Sequence, residues 1–390
     1  MAALKPQPRG EAFPDSLVSS TVPQAAEETV PTVPEGHIEC YQDHVPGFVE
    51  EALERLYGNL YASLRQMRVS SRLEGEVHTY VARDGAGAIT AIFLFRRKKA
   101  AIRVLNEGMR TNAVELSRFA DYAFGAWPDV DVIAFHAVAG CGGRLDFPTQ
   151  CFNCSDDYIL SLPDSEQQYR ASLGKSTRSY VNRYLNKLKR DFPSFTFQVY
   201  EEKAIPAQLV RDIVELNRTR MAEKGKVSAI DAAESERMVE LAADCGLVCV
   251  ASIDGRLCAG MICYRIRQNY FMAVIAHESA YNDYRIGTLC CYLGIGACIA
   301  RKGREFHFLW GKYDYKSRLG GVQRELDDLL VYRSPAGMLR QARLALRTEV
   351  RGRVRQAKLW MDGRDQNSSR TAHAVLGFLK GLRSLIGKHS

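Results

Sequence analysis

The residues best suited to chemistry lie between Asn269 and Gly321 of this 390-residue chain. A strand-like run over 269–276 leads through a loop, 277–286, into an apolar helix that opens at Gly287. Such a junction aims backbone N–H groups and the positive end of the helix dipole at whatever lies in front of it, which suits a pyrophosphate. Gly287 permits close backbone approach, and Arg285 adds a cation. After the next strand, 305–310, the chain reads Trp310-Gly311-Lys312-Tyr313-Asp314-Tyr315-Lys316-Ser317-Arg318. Three cations, two tyrosines and a carboxylate at a strand end exceed what a turn needs for topology. They can bind an anion, hold a polar acceptor and donate a proton. His277 and Glu278, just past the first strand, stand where a general base is needed.

Other motifs lead elsewhere or nowhere. Gly174-Lys175-Ser176-Thr177 matches the end of a phosphate-binding P-loop, but Tyr169 stands where its first glycine belongs and no strand precedes it, so nucleotide hydrolysis is excluded. Lys175, Arg178, Arg183, Lys187, Lys189 and Arg190 put six cations in sixteen residues. That run has enough charge to attract a polyanion such as CoA phosphates or RNA, but a solvated helix face is the reading preferred. Cys151 and Cys154 form the only C-x-x-C, and with no second pair at ligand spacing no metal is expected. Most of the eleven cysteines sit in apolar runs, where a reduced thiol packs as a small hydrophobe.

The elements that must position these residues follow from periodicity. Residues 1–36, rich in Pro, Ala, Glu, Ser and Thr, read as a disordered leader. From His37 to about residue 157 the pattern gives a helix starting near Pro46 with Leu56, Leu60 and Leu64 on one face, a hairpin over 77–95, a strand at 101–105, a helix at 114–124 and a strand at 130–137. A second α/β unit, 158–335, has a strand at 158–162, a helix entered through Asp164, and another over 177–191. It continues with a strand at 195–200, helices at 206–224 and 232–244, and an antiparallel meander over 247–276. The 287–301 helix, the 305–310 strand and a closing strand at 329–332 complete it. From Arg333 to Ser390 the chain holds 13 Lys and Arg against three acids, so the +8 net charge belongs to this end and to the tail, 336–390. Its two apolar stripes, Leu339 to Ala357 and Val375 to Ile386, suit amphipathic helices that lie on an anionic membrane or pack on the protein body. No run is long enough to span a bilayer and no signal peptide is evident, which sets the expectation of a cytoplasmic protein, peripheral at the inner membrane if the tail binds lipid.

Taken together, Tyr281-Asn282-Asp283-Tyr284-Arg285-Ile286-Gly287-Thr288-Leu289, Gly303-Arg304-Glu305-Phe306-His307-Phe308 and Gly311-Lys312-Tyr313-Asp314-Tyr315-Lys316-Ser317-Arg318-Leu319 resemble the GNAT-type acyltransferase domain of bacterial CelD-like proteins, associated with cellulose and exopolysaccharide synthesis, and of their FemAB-like relatives. The resemblance covers about residues 160–335. It implies an α/β GNAT fold, a mixed sheet flanked by helices, with a smaller, degenerate GNAT-like lobe at 37–157. It further implies direct attack of an acceptor amine on a thioester, with acetyl-CoA or another acyl-CoA as co-substrate and no metal. In that reading Ala273, Val274 and Ile275 hold the thioester, while Arg285, Ile286, Gly287 and Thr288 hold the pyrophosphate. Asp314, Lys316 and Arg318 bind the acceptor, His277 or Glu278 takes its proton, and Tyr313 or Tyr315 protonates the leaving thiolate. The acceptor would be a small molecule or glycan precursor of the cell envelope. The stretch Arg285-Ile286-Gly287-Thr288 is shorter than the usual R/Q-x-x-G-x-G/A loop, which leaves open an aminoacyl-tRNA donor, as in FemAB proteins, and a non-catalytic subunit of a polysaccharide or membrane assembly. Apart from tRNA, no nucleic-acid partner is expected.

Overall fold

A computed structural model describes residues 36–140, 143–311 and 313–362, with side chains as far as 356. The leader, apart from Gly36, and the second apolar stripe of the tail lie outside the described residues. In chain order the elements are β1 (Ile38–Tyr41), α1 (Val49–Tyr57), α2 (Leu64–Val69), β2 (His78–Arg83), β3 (Ile89–Lys98), β4 (Ala101–Val104), α3 (Ala113–Ala126), β5 (Val132–Val138) and β6 (Thr149–Ser161). Then come α4 (Glu166–Ser172), α5 (Lys175–Asp191), β7 (Thr196–Glu201), α6 (Ala207–Glu223), α7 (Ala232–Cys245), β8 (Gly246–Ile253), β9 (Arg256–Ile266) and β10 (Asn269–His277). The last are α8 (Ile286–Ala300), β11 (Glu305–His307), α9 (Asp314–Arg318), β12 (Val322–Tyr332), α10 (Pro335–Arg340) and α11 (Ala342–Asp362).

The strands form one twelve-stranded sheet in the order β1-β2-β3-β4-β5-β12-β6-β11-β10-β9-β8-β7. Two pairs are parallel, β4 with β5 and β10 with β11, each joined through a crossover helix, α3 or α8. Every other pair is antiparallel. The sheet therefore runs through the same sequence of pairings from either edge inward, four antiparallel strands, a parallel one and a closing strand, and the closing strands β12 and β6 meet at the centre. Helices cover both faces. On the β6–β11 side, Leu289, Cys291, Ile295 and Cys298 of α8 pack with α4 and α5 on one face, while α6 and α7 close the other through Val210, Ile213 and Leu241. On the β1–β5 side α3 buries Leu116 and Phe119 on one face, and α1 and α2 bury Leu53 and Met67 on the other. This is an α/β fold with a mixed sheet flanked by helices. Seven cysteines, Cys245 through Cys298, are buried among these apolar groups.

Four sequence expectations give way to tertiary context. The helix carrying Leu56, Leu60 and Leu64 is not continuous, because Gly58 takes a left-handed conformation (φ 52°) that ends α1. Leu60 then falls in a 3₁₀ turn and Leu64 in α2, both still buried. The strand expected at 158–162 begins at Thr149, and the closing strand begins at Val322 rather than 329. Both extensions are polar, Thr149 to Asp157 and Val322 to Asp328, and owe their strand form to each other through a ladder from Val322–Ile159 to Val331–Thr149. The strand expected over 305–310 stops at His307, and a short helix, α9, follows.

Candidate active site

β10 is paired with β9 along its length, but with β11 only from Asn269–Glu305 to Phe271–His307. Beyond those residues the strands part, and no pairing between them is found among the described residues. At the point of parting β10 carries a bulge: the register with β9 skips Ala273, between Met272 and Val274. Ala273 is exposed, Val274 is buried in the α6–α7 core, and Ile275 is half-buried on the α8 side. A bulge at a strand edge frees backbone groups from the ladder. The corresponding parting on the other side of the sheet is closed: Gly108 N–H donates to Ala137 (2.8 Å) and Ala139 N–H to Met109 (2.9 Å).

The far wall of the gap is the segment after β11. Lys316 is 2 % exposed, and its Nζ donates to the carbonyls of Leu309 (2.8 Å) and Trp310 (2.7 Å). Its charge is therefore spent inside the protein, where burial lowers its pKa to about 8, and the ammonium staples the loop. Tyr315 is half-buried beside Phe308, and burial pushes its hydroxyl far up. Tyr313 and Asp314 are exposed, and Asp314 pairs with Arg318 (3.6 Å) across the surface of α9. Arg220, which no sequence motif marks, reaches this region from α6, its pKa lowered first by burial with the two tyrosines opposing.

At the end of β10, His277 is 9 % exposed with Nε2 on Asn282 Oδ1 (3.0 Å) and Nδ1 without a partner. Burial, and then the charge of Arg220, lowers its pKa to about 4, so the ring is neutral at physiological pH. The ring lies against Gly287: a Cβ there would stand 2.4 Å from Nδ1. Gly287 is thus required by the histidine, whatever ligand the helix start meets. Glu278 lies toward β9, its carboxylate felt by Cys258 and Tyr281.

Helix α8 begins at Ile286 with Arg285 as its left-handed N-cap (φ 55°) and no side-chain cap, so its first amides have no side-chain acceptor. Arg285 itself is bonded to Tyr184 of α5. Thr288 lines a cavity of about 210 Å³ with Ser176, Thr177, Tyr180, Tyr315 and Arg318. The start of α5, capped by Gly174 without a side-chain bond, borders the same space. Thr288, Tyr315 and Arg318 are therefore brought together, and His277 with Gly287, whereas Lys316 points inward and Glu278 sits apart.

On the opposite face, His307 closes the last rung before the strands part. It is 2 % exposed, stacks on Phe271 (4.3 Å), and contacts Asp157 Oδ2 through Nδ1 (2.7 Å) and Glu305 Oε2 through Nε2 (3.2 Å). Burial works against its charge, but the two carboxylates prevail and its pKa is raised. Asp157 Oδ1 is buried with no partner and lies at a small cavity of about 20 Å³. A neighbouring cavity of about 200 Å³ gathers Arg55, Arg110, Arg304 and Arg324 around Glu305 and His307. Sequence reasoning missed this cluster, since Asp157 and His307 are 150 residues apart and each lies in a strand.

The parallel strands of the mixed sheet thus part beside an uncapped helix start. Residues 175–317 match the family model described as an acetyltransferase (GNAT) domain, so the chain carries a GNAT-type acetyltransferase domain and is a transferase. Among solved structures, that of FemX is similar with a TM-score of 0.55 at 10% identity, covering 77% of this chain and 99% of that one. L-PGS from Bacillus licheniformis (TM-score 0.46, 13% identity, 74% and 92% covered) and a conserved protein of unknown function from Bacteroides thetaiotaomicron (0.47, 10%, 75% and 99%) also align. The likeness to FemX is one of fold. No curated protein matches the chain by sequence.

Proposed function

We propose that the protein is an acyl-CoA-dependent N-acyltransferase that acylates an amine of a cell-envelope or exopolysaccharide precursor. The observation that carries this reading is the parting of β10 and β11 at the Ala273 bulge, next to the α8 start. In this reading the donor lies along the α5–α8 face. Its pyrophosphate meets the first turns of α8 and α5 with Arg318 and Thr288, and its thioester carbonyl enters the gap, where backbone N–H groups freed by the bulge stabilise the oxyanion. The acceptor comes from the other face, its anionic part held by Arg110, Arg304 and Arg324 and its ammonium by Asp157 and Glu305. Glu305 takes the ammonium proton, the free amine attacks the thioester carbon, and as the C–S bond breaks Tyr315 gives its proton to the thiolate and is reprotonated by the second proton that the new amide nitrogen loses. His277, with both ring nitrogens turned inward, holds the helix start in place.

Calorimetric titration with acetyl-CoA and with the non-reactive desulfo-CoA tests the donor. Binding is expected, and Arg318→Glu with Thr288→Glu should weaken it at least about tenfold, since each places a like charge against the phosphates. Failure of the unaltered protein to bind either molecule would overturn the CoA reading. A second reading, aminoacyl-tRNA as donor, is favoured by one observation: Lys175, Arg183, Lys189 and Arg190 are all exposed along α5. It requires binding that falls steeply with salt and activity that ribonuclease abolishes.

A further inference from the structure

At the centre of the sheet, on the face covered by α11 and away from the acyl-transfer gap, three different side chains converge. His136 of β5, Asp328 of β12 and Cys154 of β6 place an imidazole nitrogen, a carboxylate oxygen and a sulfur all within 4.8 Å of one another. From these we infer a divalent transition-metal site, with Zn²⁺ as its natural occupant.

The backbone is shaped to make this cluster. The β12–β5 register breaks between Asp327 and Leu329, so Asp328 sits in a bulge beside His136. The β12–β6 register breaks where Ser155 and Asn153 face Leu326 and Asp327, which puts Cys154 in a second bulge. Between them Ala137 holds a positive φ of 53°, a strained state for alanine. Two bulges and a strained residue within one patch turn three side chains toward one point that a regular ladder would separate. In the metal-free protein Asp328 is bonded to both His136 Nδ1 and the Cys154 thiol. A metal ion replaces those bridging protons.

The donor set selects the ion. Thiolate, imidazole and carboxylate together suit Zn²⁺ or Co²⁺ and not Mg²⁺ or Ca²⁺, which prefer all-oxygen shells. The thiolate and carboxylate also neutralise the dication. Bonds of about 2.0–2.3 Å to a tetrahedral ion separate donors by about 3.3–3.8 Å, so the widest pair closes by about 1 Å. Arg355, whose charge is felt at Cys154, is engaged by Asn153 (2.6 Å) and Asp156 (2.8 Å). Above the cluster lies a cavity of about 300 Å³ between the sheet and α11. A fourth coordination position therefore opens onto space large enough for water and a small ligand. The C-x-x-C of Cys151 and Cys154 marks only one of these donors and no His-pair spacing marks the others, because the three come from strands that meet only in the folded sheet.

Full-length protein, freed of metal with a chelator and kept reduced, is titrated with Co²⁺ and followed by absorbance. One equivalent is expected to produce a near-ultraviolet thiolate-to-cobalt band with visible d–d bands of tetrahedral intensity, both erased by one equivalent of Zn²⁺. Cys154→Ser should abolish the thiolate band, and His136→Ala should weaken Co²⁺ binding at least tenfold while circular dichroism stays unchanged. If Cys154→Ser fails to fold, the half-exposed His136 decides through His136→Ala. Absence of a band, or a band unchanged by His136→Ala and by Cys154→Ser, overturns the site, the latter result placing the metal on other cysteines.

Discussion

At the scale of single residues, the close pair is Gly287 and His277. A methyl at Gly287 would stand 2.4 Å from the His277 Nδ1, so Gly287→Ala should destabilise the protein by about 1–3 kcal/mol, as overpacking does. In a His277→Ala background the same change should cost less than half as much, read from urea midpoints. An undiminished cost there would mean that the helix start rejects the methyl for another reason. His277 also sets a pH dependence. Folded, it takes a proton only near pH 4, whereas the unfolded chain does so near 6.5, so the native state loses stability as pH falls from 6.5 toward 4. The loss is at most about 3 kcal/mol, and His277→Gln should flatten the urea midpoint between pH 7 and 4.5 relative to the parent. The sequence pointed to both residues, since each flanks a strand-to-helix junction. It did not show that they touch, because contact depends on how the loop with Asn282 folds back.

At the scale of elements, the wall of the gap depends on a buried lysine. The sequence offers Lys316 as one of several cations in a polar turn, and nothing local distinguishes an inward lysine from an outward one. What commits it is α9, which places residue 316 beneath the carbonyls of Leu309 and Trp310. Leu309 has a φ of 55° and Gly311 one of 91°, so these carbonyls are turned out of strand geometry and need a donor. Lys316→Met keeps the stem and removes the donor. It should cost about 1–3 kcal/mol, the penalty of leaving buried acceptors unsatisfied, and should speed proteolysis within 308–313 measurably. Equal stability and equal cleavage rates would mean that water replaces the ammonium. Strands and helices of the second α/β unit were legible because their apolar periods are strong. The central ladder of β6 and β12 was not, since its residues are mostly polar and each strand is stabilised by a partner more than 160 residues away.

At the scale of the whole molecule, that polar ladder is the seam between the two sides of the sheet, and the basic tail covers it. Arg340 pairs with the buried Asp131, Arg355 reaches Asn153 and Asp156, and Gly352 brings α11 against Phe152. Leu330, Tyr332 and Ala345 form a small apolar cluster beneath. The described part of the tail therefore packs on the protein body, the alternative that its amphipathic pattern left open, and among the described residues no helix is long and apolar enough to cross a membrane. Two truncations separate the roles. Ending the chain after Asp362 keeps every one of these contacts and should leave the thermal midpoint within about 2 °C of the parent. Ending it after Arg333 uncovers the seam and leaves the buried Asp131 and the half-buried Asp156 without their arginines. Such losses cost several kcal/mol together, so the midpoint should fall by at least about 8 °C. If the shorter chain melted like the parent, the seam would be stable on its strand pairing alone. The tail's cations would then be available for anionic lipid, and binding to anionic vesicles would be lost with the tail.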